Sequence, residues 1–310
     1  MKLLCSAVFL FFSSLPAEWS GTETLFDLFP QDVRSVGMGH VAIVPRLPGA
    51  EEGVSTWGLP EGRYFLFSCM RATLPFGDDL VGVSAGKDIG RWVLRLAWAE
   101  LDARDIEMTD LDSVTAADTL AYHVIGTTAF RENRVSVQVG RQWAENGYSA
   151  VRLHYQNQRT GEGSRRPVQA DLLFSFLPNT GSFGLSAALN YINLPFFQPM
   201  NVHEETLPQS LRVGLSRFFW EKRTALYAEI KKTTFSRTVP VFYLGAEVRP
   251  IMPVMLRAGL GEWSADHRGV YCFGATFSAE GFALTYAFNS YPDLAWDSGH
   301  RLGLSYKIMD

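Results

Sequence analysis

The chain has 310 residues, 28 Lys and Arg against 32 Asp and Glu, and a formal net charge of −4. Charged residues make up 19% and aromatics 13%, which excludes a disordered chain; without basic blocks, nucleic acid is excluded as a main partner. No window reaches the ~18–20 consecutive apolar residues of a membrane-spanning helix, so a helical membrane protein is excluded too.

Lys2, the apolar stretch Leu3 to Phe12, and then Ser13, Ser14, Leu15, Pro16 and Ala17 have the layout of a secretory signal peptide. Residues 1–17 are expected to be that signal, cleaved after Ala17, so the protein is expected to be exported. Cys5 lies near the start of the apolar stretch, where a lipid-anchor cysteine would follow it. Only Cys69 and Cys272 remain beyond the signal; they could form one disulfide but make neither a framework nor a zinc site.

The chain beyond is dominated by alternation with period two. Val135, Val137 and Val139 alternate with Ser136, Gln138 and Gly140; Val151, Leu153 and Tyr155 alternate with Arg152, His154 and Gln156. Val168, Ala170, Leu172, Phe174 and Phe176 share a face opposite Gln169, Asp171 and Ser175. Phe282, Leu284, Tyr286 and Phe288, and then Leu302, Leu304, Tyr306 and Ile308, repeat the pattern. Strands turn successive side chains to opposite faces, so each segment has an oily face and a polar or small one. Short connections are expected at Arg131–Asn133, Glu145–Gly147, Asn179–Gly181 and Ala279–Gly281, and longer ones at 103–118, 159–167, 195–208 and 291–299.

The expected fold is all-β: an antiparallel transmembrane β-barrel of about 14 strands over residues 61–310, preceded by a plug segment over 18–60. Fourteen strands of ~10 residues would use ~140 of the ~250 residues beyond position 60, leaving room for alternating short turns and longer loops. A soluble sandwich or barrel alternates as well. Arg152-x-His154-x-Gln156 decides between them, because such a face suits a wet lumen and not a dry core.

Several stretches carry a family resemblance. They are Leu207–Leu215, Leu244–Pro250, Leu256–Leu260, Leu284–Phe288, and Asp293-Leu294 followed by Gly299–Lys307. In their order and spacing they resemble the FadL-type and PorV-like outer-membrane barrels, including a treponemal branch of that group. Arg34–Ala42 resembles the start of the family's N-terminal plug, with Gly37, Met38 and Gly39 as plug residues. The family's Asn-Pro-Ala-Gly element is degenerate at Trp57-Gly58-Leu59-Pro60, and Ile308-Met309-Asp310 stands where a terminal Phe is common.

Catalytic strings do not fit their chemistry. Gly37-Met38-Gly39-His40-Val41-Ala42 matches a dinucleotide pattern, but Pro45 and Pro48 stop the helix that it needs. Gly82-Val83-Ser84-Ala85-Gly86 matches a hydrolase elbow but lies in alternating strand sequence. His203-Glu204-Glu205 lacks a second zincin histidine, and the six His show no ligand spacing. No enzyme activity, metal or cofactor is expected.

Arg95, Arg152, His154, Arg212, Glu229, Lys231, Glu247 and Arg257 are expected on the lumen face. They either pair with one another, or some of them, with Arg95, Arg152, His154, Arg212, Glu247 and Arg257 as candidates, bind a carboxylate head group. Phe196, Phe197 and Met200 form an apolar patch in a long loop, either folded onto the rim or a capture surface for a lipidic molecule. The resemblance implies transport of hydrophobic small molecules, long-chain fatty acids above all, through binding and plug gating in the outer membrane. The alternative is a PorV-like barrel with an exported protein partner, or a surface-exposed structural antigen.

Overall fold

The computed structural model describes residues 32–44, 64–74, 79–114, 120–160, 163–177, 182–194, 209–233, 240–263, 268–290 and 298–309. A one-turn helix, α1 (Val33–Gly37), precedes the strands. These are β1 (Tyr64–Thr73), β2 (Asp79–Ile89), β3 (Trp92–Val114), β4 (Leu120–Ala144) and β5 (Gly147–Thr160). The short β6 (Gly163–Arg165) follows, then β7 (Val168–Phe176), β8 (Phe183–Asn193), β9 (Ser210–Phe219) and β10 (Thr224–Thr233). The last are β11 (Val241–Ile251), β12 (Val254–Trp263), β13 (Arg268–Ala279), β14 (Phe282–Ser290) and β15 (Gly299–Met309).

Neighbours pair antiparallel around a ring that β1 and β15 close, with Tyr64 opposite Met309 and Thr73 opposite His300. β6 pairs only with the end of β5, continuing the edge that β7 occupies lower down. Fourteen strands therefore form a closed barrel, and closure satisfies every ladder that an open edge would leave exposed to lipid. The even number returns the start of β1 and the end of β15 to the end with the short turns. One of these turns is Glu280-Gly281, where both residues have positive φ (48° and 86°), as a two-residue hairpin requires.

The two faces of the sheet are inverted relative to a soluble protein. Val135, Val137, Val139, Phe273, Phe277, Leu284, Leu302 and Leu304 are all exposed, Phe273 by 57%. Gln138, Arg152, His154, Gln169, Asp171, Glu229, Glu247, Arg257 and Arg301 are buried inside. An exterior of branched and aromatic side chains around a polar interior is stable only with lipid outside, so the chain is an outer-membrane type of transmembrane barrel. Cys69 is exposed on the outer face and Cys272 is buried; both are free thiols.

Two sequence expectations are corrected. Arg131–Asn133 is not a turn but lies within β4, and most of the 103–118 stretch is strand, because β3 runs to Val114. Beyond Asp102, the last partner of β2, the ladder from Ala103 to Val114 continues against β4 alone, from Phe130 to Leu120. This two-stranded ribbon is ~40 Å long at 3.3–3.4 Å per residue. With no third strand beside it, its sequence does not carry the clear alternation that marks the strands of the wall. The signal at 1–17, Trp57–Pro60, and the loop with Phe196, Phe197 and Met200 lie outside the described residues.

Leu304 lies mid-strand on the outer face, opposite Cys69 and Leu284. Leu304→Arg is expected to lower the unfolding free energy in lipid vesicles by ~2–4 kcal/mol. Leu304→Ile at the same site should stay within about 1 kcal/mol, both read by urea titration of intrinsic fluorescence.

Candidate functional site

Residues Asp32–Val44 lie inside the barrel, and all but the partly exposed Ala42 are buried. Asp32 caps α1, its carboxylate accepting from the Arg34 and Ser35 amides. After this one turn, Gly39 and His40 take positive φ (71° and 67°) and reverse the chain. Ser35 Oγ closes the loop by donating to the Val41 carbonyl at 2.8 Å. The segment is folded by its own backbone, without a core of its own.

Wall glycines let it approach. A Cβ at Gly259 would lie 2.1 Å from the Met38 carbonyl carbon, and Gly37 and Gly274 pack backbone to backbone. Gly245 serves Met38 in the same way. The segment thus crosses β13, β12 and β11 in van der Waals contact with bare strand backbone, which no other residue type permits.

Two wall carboxylates then tie it down. Glu247, 0% exposed, accepts from Arg34 Nε at 2.8 Å and Arg34 Nη2 at 2.7 Å, and also from Arg257 Nε and the Tyr227 hydroxyl, each at 2.7 Å. Glu229 Oε2 accepts the Ala42 and Ile43 amides at 2.9 and 3.2 Å, while its Oε1 accepts from Arg212 Nη1 at 2.6 Å. Each acid is shared between the segment and a wall arginine. Burial disfavours the Arg34 charge, but the adjacent Glu247 carboxylate outweighs it and holds the guanidinium pKa above its ordinary value. A third contact joins His40 Nδ1 to Glu262 at 3.1 Å.

The remaining predicted lumen residues form separate braces. Arg95 pairs with Asp88 at 2.7 Å and donates to the Tyr64 hydroxyl. Arg152 donates to Gln138 Oε1 at 2.9 Å, and Gln156 donates to Glu132. His154 lies between Ser136 Oγ (2.9 Å to Nδ1) and Asp171 (2.6 Å to Nε2). That Ser–His–acid row escaped sequence reasoning, because its members come from β4, β5 and β7. Its nitrogens are used the opposite way from a hydrolase triad, and Asp171 also accepts the Tyr191 amide, so the row reads as a cross-brace. Ser84 sits inside β2, away from any strand-to-helix elbow, and Gly37–Ala42 follows a helix instead of opening one. Among the described residues, no cluster of three or more metal-ligating side chains occurs.

The structure therefore gathers Arg212, Glu247 and Arg257, with Gly37, Met38 and Gly39, around one inner segment, and leaves Arg95, Arg152 and His154 in other parts of the wall. Sequence reasoning missed Arg34, Tyr227 and the glycines as partners. Alternation marked Glu247 and Arg257 as inward-facing, but nothing in it says that they meet Arg34.

Glu247→Ala would strip both buried guanidinium groups of their shared acid. A loss of about 3–5 kcal/mol in unfolding free energy is expected from equilibrium denaturation. Gly259→Ala, in a background with Cys69 and Cys272 replaced by Ser, should expose a Val41→Cys reporter to maleimide, because the added methyl displaces Met38.

No protein-family model matches the sequence, and no curated protein does. Solved structures share the fold. The Ralstonia pickettii toluene transporter TbuX matches with a TM-score of 0.61 at 12% identity, covering 89% of this chain and 97% of its own. The Pseudomonas putida toluene transporter TodX gives 0.61 at 12% over 94% and 99%. The CymD monoaromatic hydrocarbon channel gives 0.64 at 11% over 93% and 99%. At the level of fold these neighbours bear out the FadL-type resemblance: the chain has the fold of these hydrocarbon channels.

Proposed function

We propose that this barrel carries hydrophobic small molecules across the outer membrane, long-chain fatty acids among them, with the inner segment as its plug. The observation that supports this reading is the apolar lining of part of the lumen. Near the long-loop end, Met70, Ala72 and Leu74 of β1 and its end, Leu80 of β2, Ala99 and Leu101 of β3, and Ala287 of β14 cluster with Val33 and Val36 of the segment. A second cluster gathers Met38, Val41 and Val44 with Phe218, Tyr227, Tyr243 and Met255; a third gathers Ile43 with Val93, Tyr148, Ala150 and Leu173.

A lumen that only conducted water and ions would have no use for these rows. An apolar molecule gains about 0.8 kcal/mol for each methylene that it buries against them. The segment touches all three clusters, so displacing it would uncover apolar wall in each of them, with the Glu247–Arg257 and Glu229–Arg212 pairs between. The neighbours' cargo, toluene and monoaromatic hydrocarbon by their names, fits the same chemistry. The lumen arginines predicted as head-group binders are engaged with the wall and the segment, so recognition in this reading rests on the apolar body of the cargo.

The test is uptake into proteoliposomes. Labelled oleate and toluene should enter several-fold faster than into empty vesicles, with glucose unchanged. Gly259→Ala should speed apolar entry further by loosening the segment. If neither apolar probe is accelerated, the reading is wrong.

A further inference from the structure

We infer that the apolar cluster at the long-loop end is a selective binding site for apolar molecules carrying one neutral hydroxyl group, and that Asn289 recognises the hydroxyl. This rests on the channel reading above and names the ligand class of one of its clusters.

Asn289 faces the lumen on β14, one inward position beyond Ala287, and is 1% exposed. Neither its Nδ2 nor its Oδ1 has a hydrogen-bond partner among the described residues. A buried amide left this way is costly, and such groups are rare unless something else satisfies them. Its position is constructed: Gly299 stands opposite it in the ladder, and a Cβ there would lie 2.5 Å from Oδ1. Arg301, 1% exposed, lies opposite both Ala287 and Ala72 in the ladders, so a buried positive charge stands beside the apolar cluster.

These features sort ligands. An alkane buries its body but leaves the amide unmet. A carboxylate is drawn by Arg301 and accepts from Nδ2, but it must shed its hydration as an ion and sets a lone pair against Oδ1. An ammonium head is repelled by Arg301. A hydroxyl donates to Oδ1 while its oxygen accepts from Nδ2, which satisfies both atoms at once. Meanwhile the attached chain lies along Leu74, Leu80 and Leu101.

Equilibrium dialysis of the protein in lipid nanodiscs, against empty discs, with 1-octanol, octane and octanoate tests this. The wild type should bind octanol about tenfold more tightly than either of the others, the equivalent of 1.4 kcal/mol. Asn289→Leu should reduce the octanol preference over octane to within about twofold. Gly299→Ala, which pushes the amide aside and leaves Asn289 in place, should do the same if the first variant folds poorly. If octanol and octane bind the wild type equally, the amide is met by water and the hydroxyl site is refuted while the channel reading stands. If none of the three binds above empty discs, the channel reading falls as well.

Discussion

Lipid contact with the outer face of the sheet is the constraint from which the rest of the molecule follows. A hydrocarbon exterior accepts neither an open edge nor a charge, so the backbone must close into a ring and every charged side chain at membrane depth must turn inward. The lumen is then a confined space carrying many ionised groups, and a buried charge is tolerable only when paired. The braces observed, Arg95–Asp88, Arg212–Glu229 and Arg257–Glu247, are what that confinement demands. They lie across neighbouring strands because the ladder makes strand neighbours the nearest partners.

The inner segment exploits this arrangement. Glu247 and Glu229 each already have a wall arginine, and the segment adds its own donors to the same carboxylates. Detaching it would leave the wall pairs standing, so the barrel keeps its charges compensated with or without the segment. Arg34 is the group that would lose a partner. The bare backbone of Gly259, Gly245 and Gly274 lets the Gly37–Gly39 stretch lie directly on the wall, while Val33, Val36, Met38, Val41, Ile43 and Val44 pack among wall side chains.

Much of this was legible in the sequence, and the limits have physical causes. Period-two alternation found the strands wherever lipid lies on one side and the lumen on the other, as at Val135–Gly140 and Val151–Gln156. It failed at Arg131–Asn133, where polar residues that read as a turn continue a paired strand, and along 103–114, where β3 pairs with β4 alone. The same alternation put Arg152, Glu247 and Arg257 inside, because one bit of information, in or out, is all that a period of two encodes. Which inward residue meets which depends on register and on the path of a segment some two hundred residues away, as with Arg34 and Glu247. The role of the wall glycines was equally hidden, since a glycine in a strand reads as a weak spot until something is seen packed against it.

The distribution of charge along the chain follows from the same constraint. Between Ala103 and Phe130, Asp105, Glu107, Asp110, Asp112 and Asp118 stand against Arg104 alone, so this stretch accounts for the whole formal net charge of −4. The remainder is balanced, as a barrel that must pair its charges inside a lumen has to be. The excess of one sign is concentrated where β3 and β4 pair with each other alone, past the last partners of β2 and β5. A ribbon with two open edges is the element most exposed to unwanted strand pairing, and like charges along its sequence oppose the approach of a second copy. One physical rule, that a buried charge must be compensated, thus accounts for the paired lumen and for the excess being set in the one stretch that the neighbouring strands do not flank.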